Sequence, residues 1–168
     1  MKNNTLKLVR AGIIGALYIV LSFVTFSFSG GAIQFRIAEG LTLLPLLYAE
    51  SIPALFIGCL LFNFISGLPL LDVLLGSLIT LVAGVFTFLV GKVFKKGWLK
   101  VFIGGLFPVL LNAFFLPLIW LFYGALEYVY MLSVAFLVVS QSLSVYLVGS
   151  ITYFSIDKLK DKNVEFLK

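Results

Sequence analysis

Residues 33–47 read IQFRIAEGLTLLPLL, which places an amide (Gln34), a guanidinium (Arg36) and a carboxylate (Glu39) within six positions. Together these groups offer donors and acceptors that can match a small polar molecule atom for atom. Two further carboxylates, Asp72 and Glu127, and three amides, Asn63, Asn112 and Gln141, stand in or beside long apolar runs. Polar side chains inside such runs are costly and face the interior of a helix bundle. Two roles fit the amides: hydrogen bonds between helices, or contacts to a bound ligand. Trp120, Phe122, Tyr123, Tyr128 and Tyr130 cluster nearby. They suit an aromatic belt at the membrane surface or a stacking wall for a planar ligand.

The groups that would make or break bonds are missing. The chain has no His, hence no Ser–His dyad and no HExxH zinc motif, and it has no GxxxxGK phosphate loop. No catalytic residue, metal site or cofactor is expected, and the chain should not hydrolyse ATP itself. The single Cys59 cannot form an internal disulfide. Asp72 and Glu127 leave one enzymatic alternative, a small intramembrane hydrolase built on carboxylates.

The elements that must position these residues are membrane spans. Of 168 residues, 11% are charged and 62% hydrophobic, with a mean hydropathy of +1.18. Soluble domains carry about 25% charged residues, so this chain cannot cover a water-facing surface. A single transmembrane domain over 1–168 is expected in the plasma membrane, and the first apolar run reads as a span, not a cleaved signal. The net charge of +5 does not point to nucleic acid. Apart from Arg36, the basic residues fall in three clusters, at 2–10, 92–100 and 158–168, each flanking an apolar run.

About 20 apolar residues cross a bilayer. Spans are expected at 8–28, 71–93, 98–122 and 128–156, with Pro108 and Pro117 as kink candidates in the third of these. The segment 37–65 is interrupted by Pro45, Glu50 and Pro53 and reads as two short helices, 37–49 and 52–66. Short or broken helices in membrane proteins line cavities, where freed backbone groups find partners. The expected fold is an all-α bundle of six transmembrane helices. The basic clusters put both termini in the cytoplasm. The outer connections are then 29–36, 66–71 and 123–127, and each has a charged residue at or beside it. That coincidence suggests a polar site opening outward.

In the first span, Ala11 and Gly15, and Gly12 and Ala16, have the four-residue spacing that lets another helix approach closely. Packing within the bundle and docking of a separate membrane partner both fit.

IQFRIAEGLTLLPLL, followed by SIPALFIGCLLFNFISG (51–67) and LDVLLGSLITLVA (71–83), resembles the QueT family. Its members are substrate-binding S components of energy-coupling factor (ECF) transporters, assigned to queuosine precursors. The resemblance implies an S-component-like bundle of six helices, an outward-facing pocket and a 7-deazaguanine ligand (queuine or a prequeuosine base). It further implies docking of the small-residue face of the first helix on a transmembrane coupling protein, with two ATPase subunits driving uptake. In that setting Glu39 would read the guanine-type edge, with Arg36 holding Glu39 or its loop. Gln34, Asn63 or Asn112 would donate to the ring carbonyl, and Asp72 or Glu127 would pair a cationic aminomethyl group. Ser140-Gln141 stands where the family tends to carry Gly-Glu. An S component for another vitamin or small heterocycle is the alternative ligand class.

Overall fold

The computed structural model describes residues 2–26, 35–126 and 128–161. Gln34 and Glu127, together with Gly30 and Gly31, lie outside the described residues. Among those described the chain is all-helical. Helix α1 spans Lys2–Phe26, and a 3₁₀ helix spans Ile37–Leu46. Helix α2 spans Ser51–Ile65. Helix α3 opens with a π-helical turn, Asp72–Gly76, and continues as Ser77–Val93. Helix α4 spans Gly97–Phe122. Helix α5, Tyr130–Ser142, passes through a second π segment, Leu143–Gly149, into α6, Ser150–Asp161. Four stretches are long and apolar enough to cross a membrane: Asn4–Phe26, Asp72–Val93, Gly97–Phe122 and the continuous Tyr130–Lys160. With the two shorter helices they make the six rods that the apolar runs predicted. The outer surface carries Leu8, Val20, Phe64, Val93 and Leu147, all well exposed, as befits helices whose solvent is lipid.

The first short rod differs in kind from an ordinary α-helix. Runs of 3₁₀ helix rarely exceed three or four residues, yet this one holds for ten. Pro45 lies inside it and has no N–H to give an α-helical ladder. The Thr42 hydroxyl donates back to the Glu39 carbonyl at 2.5 Å. At about 2.0 Å per residue the 3₁₀ form reaches about 20 Å, against about 15 Å for an α-helix of the same length. Every residue from Ala38 to Leu46 is buried, so this rod is the axis of the bundle. Its neighbours come close because they are glycine at the crossings. A Cβ on Gly149 would lie 2.8 Å from the Gly40 carbonyl oxygen, and one on Gly91 2.9 Å from that of Leu46.

Pro108 and Pro117 are accommodated within one continuous helix, Gly97–Phe122. Pro108 cannot donate to the Gly104 carbonyl one turn before it. The Thr87 hydroxyl of α3 fills that acceptor at 3.0 Å. In lipid an unmatched carbonyl has no water to turn to, so this cross-helix bond is what α4 needs at its first proline.

One end of the bundle gathers the basic residues. Arg10 of α1 pairs with Glu50, in the turn before α2, at 3.1 Å. The Tyr48 ring is capped by the Arg10 guanidinium at 4.5 Å and by the Lys160 ammonium at 4.1 Å. Lys160 also donates to the Leu47 carbonyl at 3.4 Å. Gly97, at the turn between α3 and α4, lies against Tyr153 and Phe154 of α6. The described residues of the three basic clusters therefore share one end.

Candidate ligand cavity

The opposite end holds a cavity of about 310 Å³, within the size range of small-molecule sites. It is built where the C-terminal ends of α1, α2 and α4 meet the N-terminal ends of the 3₁₀ helix, α3 and α5. Arg36, Glu39, Asn63, Asp72, Asn112, Trp120 and Tyr123 all line it. Seven residues chosen from separate segments of sequence thus converge on one space. Gln141 is buried at 1% exposure but is not among the residues lining it.

Glu39 is the deepest charge, 2% exposed in the first turn of the 3₁₀ helix. Tyr18 of α1 donates its hydroxyl to Oε1 at 2.8 Å. Asn112 of α4 donates Nδ2 to Oε2 at 3.3 Å. A buried carboxylate needs such matching. Each oxygen takes one bond from the protein and keeps acceptor capacity for a ligand. The charge of Arg36, at the mouth of the same helix, acts favourably on this carboxylate.

A second pole forms around Asp72, in the π turn that starts α3. The indole Nε1 of Trp120 donates to Oδ1 at 3.2 Å, and the Tyr123 hydroxyl donates to Oδ2. Burial and the Asp72 carboxylate raise the Tyr123 phenol above its ordinary pKa, so it remains a protonated donor. Asn63 spans the space between the poles, with Nδ2 3.3 Å from the Asp72 carbonyl and 3.5 Å from Cys59 Sγ.

Phe26, Tyr128, Phe136 and Leu137 add apolar and aromatic wall, and Thr80 and Ser133 add hydroxyls. Cys59, Thr80, Ser133, Phe136 and the carboxylate's partner Tyr18 were not expected as site residues from the sequence. Tyr18 alone carried a signal: a phenol in the middle of an apolar span needs an acceptor. The others look like ordinary span residues. The small residues of α1 separate into two sets. Ala11 and Gly15 turn inward, where Ala11 packs on a core that includes Ile14 and Tyr18. A Cβ on Gly15 would lie 3.2 Å from the Ala54 carbonyl of α2. Gly12 and Ala16 are exposed, and nothing lies within 4 Å of a Cβ placed on Gly12.

A bundle of apolar rods with a polar, aromatic-walled cavity at one end defines a multi-pass membrane protein with a candidate site of small-molecule size. The profile of the family described as QueT transporter matches residues 8–158, and the chain belongs to that family. It is 37% identical over 83 residues to the queuosine precursor transporter QueT of Lactococcus lactis subsp. cremoris (strain MG1363). That alignment covers 48% of this chain and 48% of the relative, so the matched part spans about half of each. No solved structure matches the chain.

Proposed function

We propose that the chain is the substrate-binding subunit of an ECF-type importer, and that its cavity captures a queuosine precursor, a 7-deazaguanine base. The observation that carries this reading is the paired presentation of Glu39. Held by Tyr18 and Asn112, its two oxygens each keep acceptor capacity. The pyrimidine edge of a guanine-type ring offers two parallel N–H donors to such a carboxylate. Trp120, Tyr123, Tyr128 and Phe136 supply faces for a planar heterocycle. Membership in the QueT transporter family and similarity to the queuosine precursor transporter of Lactococcus lactis support the substrate class.

In this reading the basic end faces the cytoplasm, following the positive-inside bias, and the cavity opens outward. The chain has no phosphate loop, so energy would come from two ATPase partners through a transmembrane coupling protein. The exposed pair Gly12 and Ala16 is the face on which that coupling protein docks, since Ala11 and Gly15 are taken up by packing on α2. Small residues allow the close helix approach that membrane association relies on.

Titration calorimetry of the purified chain with 7-deazaguanine bases tests the reading. Glu39→Gln keeps the side-chain shape but turns one acceptor into a donor that faces the ligand's own N–H. Losing a charged hydrogen bond costs about 1.5–3 kcal/mol, so affinity should fall about 10- to 150-fold. A wild-type chain that binds no 7-deazaguanine, or a Glu39→Gln variant with undiminished affinity, overturns it.

A further inference from the structure

The 3₁₀ rod Ile37–Leu46 is fastened at both ends, and the two fastenings draw on different helices. At the cavity end the Glu39 N–H donates to the Arg36 carbonyl at 3.0 Å. The Glu39 carboxylate there is held by Tyr18 of α1 and Asn112 of α4. At the basic end the Leu44 carbonyl accepts from both the Leu47 and the Tyr48 N–H at 2.9 Å, which makes Tyr48 part of the rod's last turn. Tyr48 is 5% exposed, and its ring carries two cations. The Arg10 guanidinium of α1 lies 4.5 Å from the ring centroid. The Lys160 ammonium, from the last turn of α6, lies 4.1 Å from it. Lys160 holds the rod a second time through the Leu47 carbonyl at 3.4 Å. A shielded aromatic face attracts each cation, and Glu50 at 3.1 Å offsets the charge of Arg10.

Between the fastenings the rod acts as one piece. At about 2.0 Å per residue, Glu39 and Leu46 stand about 14 Å apart along it. An α-helical form would be shorter, but it would need an N–H from Pro45 for the Leu41 carbonyl and would press the proline ring against that carbonyl. Rewinding therefore cannot absorb a displacement at Tyr48. Where the rod crosses α3 and the second π segment it meets glycine backbone. A Cβ on Gly91 would lie 2.9 Å from the Leu46 carbonyl oxygen, and one on Gly149 2.8 Å from that of Gly40. Such contacts fix how close the rod lies to its neighbours. Directional contacts at its two ends fix where it lies along its own axis.

Resting on the proposed reading of Glu39 as the group that meets the base, we infer that Tyr48 is a positioning residue for ligand capture. Clasped by Arg10 and Lys160, it sets through the rod the place of Glu39 in the cavity at the opposite end of the bundle. The ring and the carboxylate belong to one body, so loosening the first widens the range of positions open to the second. By linkage, a base that fixes Glu39 tightens the hold on Tyr48 in return.

The test is calorimetry of the full chain in detergent with 7-aminomethyl-7-deazaguanine, comparing Tyr48→Leu in the wild-type background and in Glu39→Gln. Leucine keeps an apolar side chain at the site and removes the ring that both cations use. Tyr48→Leu should weaken binding at least about fivefold in the wild-type background. In Glu39→Gln the same change should cost less than about twofold, because the group it positions no longer reads the base. A general loosening of the bundle would weaken binding by the same factor in both backgrounds, and that result overturns the inference. Lys160→Met, which keeps the stem and loses the ammonium, carries the same comparison if Tyr48→Leu does not fold. Wild-type affinity in both Tyr48→Leu and Lys160→Met also overturns the inference and leaves the base-binding reading intact. A wild-type chain that binds no 7-deazaguanine removes that reading and the inference with it.

Discussion

The Tyr18 hydroxyl lies 2.8 Å from Glu39 Oε1, joining the middle of α1 to the first turn of the central 3₁₀ helix. Both residues are 2% exposed. Tyr18→Phe keeps the ring in place and deletes this bond. Leaving a buried charged acceptor short of a donor costs about 1–3 kcal/mol. Thermal melting in detergent should show a clear loss of stability, and 7-deazaguanine affinity should fall because the carboxylate is free to rotate. A variant with wild-type melting and affinity would show that Tyr18 does not hold Glu39.

Thr87 tests the proline in α4. Its hydroxyl donates to the Gly104 carbonyl at 3.0 Å, the acceptor that Pro108 leaves open. Thr87→Val is close to isosteric and removes the donor, so a destabilisation of about 1–2 kcal/mol is expected. Thr87→Ser should restore most of it. Since Thr87 is not among the cavity's lining residues, calorimetry should give unchanged ligand affinity for both variants.

Gly149 sets the distance between the second π segment and the central rod. A methyl there would meet the Gly40 carbonyl oxygen and Leu43 Cδ1, each at 2.8 Å. The first of these is backbone and cannot swing aside. Gly149→Ala should destabilise by about 1–3 kcal/mol and displace the segment that carries Glu39. Reduced melting temperature together with weakened binding is the expected pair of results.

Gly12 makes the contrasting case, because nothing stands within 4 Å of a Cβ placed there. Gly12→Leu should leave folding and ligand binding untouched, since it projects into lipid. In the proposed transporter it would obstruct the coupling protein. Co-purification with that partner should be lost while calorimetry of the isolated chain is unchanged. Normal assembly of the variant would move the docking face elsewhere.

Arg10 and Glu50 form a partly shielded ion pair at 3.1 Å, with side-chain exposures of 8% and 14%. Removing one member of a buried pair strands the other and costs about 3–5 kcal/mol. Arg10→Ala should therefore lower the melting temperature strongly. The double variant Arg10→Ala with Glu50→Gln should recover part of the loss, and additive effects of the two changes would argue that the pair is not coupled.

Much of the framework was readable because it depends on local properties of the chain. The length of an apolar run decides whether a helix can span lipid, and the expected rods coincide with those observed to within a few residues. Pro45, Glu50 and Pro53 mark the break that yields two short helices. The scarcity of charge made Arg36, Glu39 and Asp72 conspicuous, and all three line the cavity. The rotation of each helix about its own axis was not readable. Gln141 is as polar as Asn112, yet Asn112 lines the cavity and Gln141 does not. In an apolar span lipid and protein interior look alike, so hydrophobic periodicity carries little information about which face turns inward.

For Arg36 and Glu39 of the opening constellation, the sequence by itself determined that an apolar chain places polar groups at the end of a helix bundle away from the described basic residues. That follows from the energetic cost of charge in lipid, which one chain segment registers alone. Only the tertiary structure decided what Glu39 can do. Its partners Tyr18 and Asn112 stand 21 and 73 residues away, and no local pattern couples them. The same holds for Ala11 and Gly15 turning inward while Gly12 and Ala16 face out, and for the ten-residue 3₁₀ rod. Each depends on how closely backbones approach across the bundle, and that distance is set by the packing of all six rods at once.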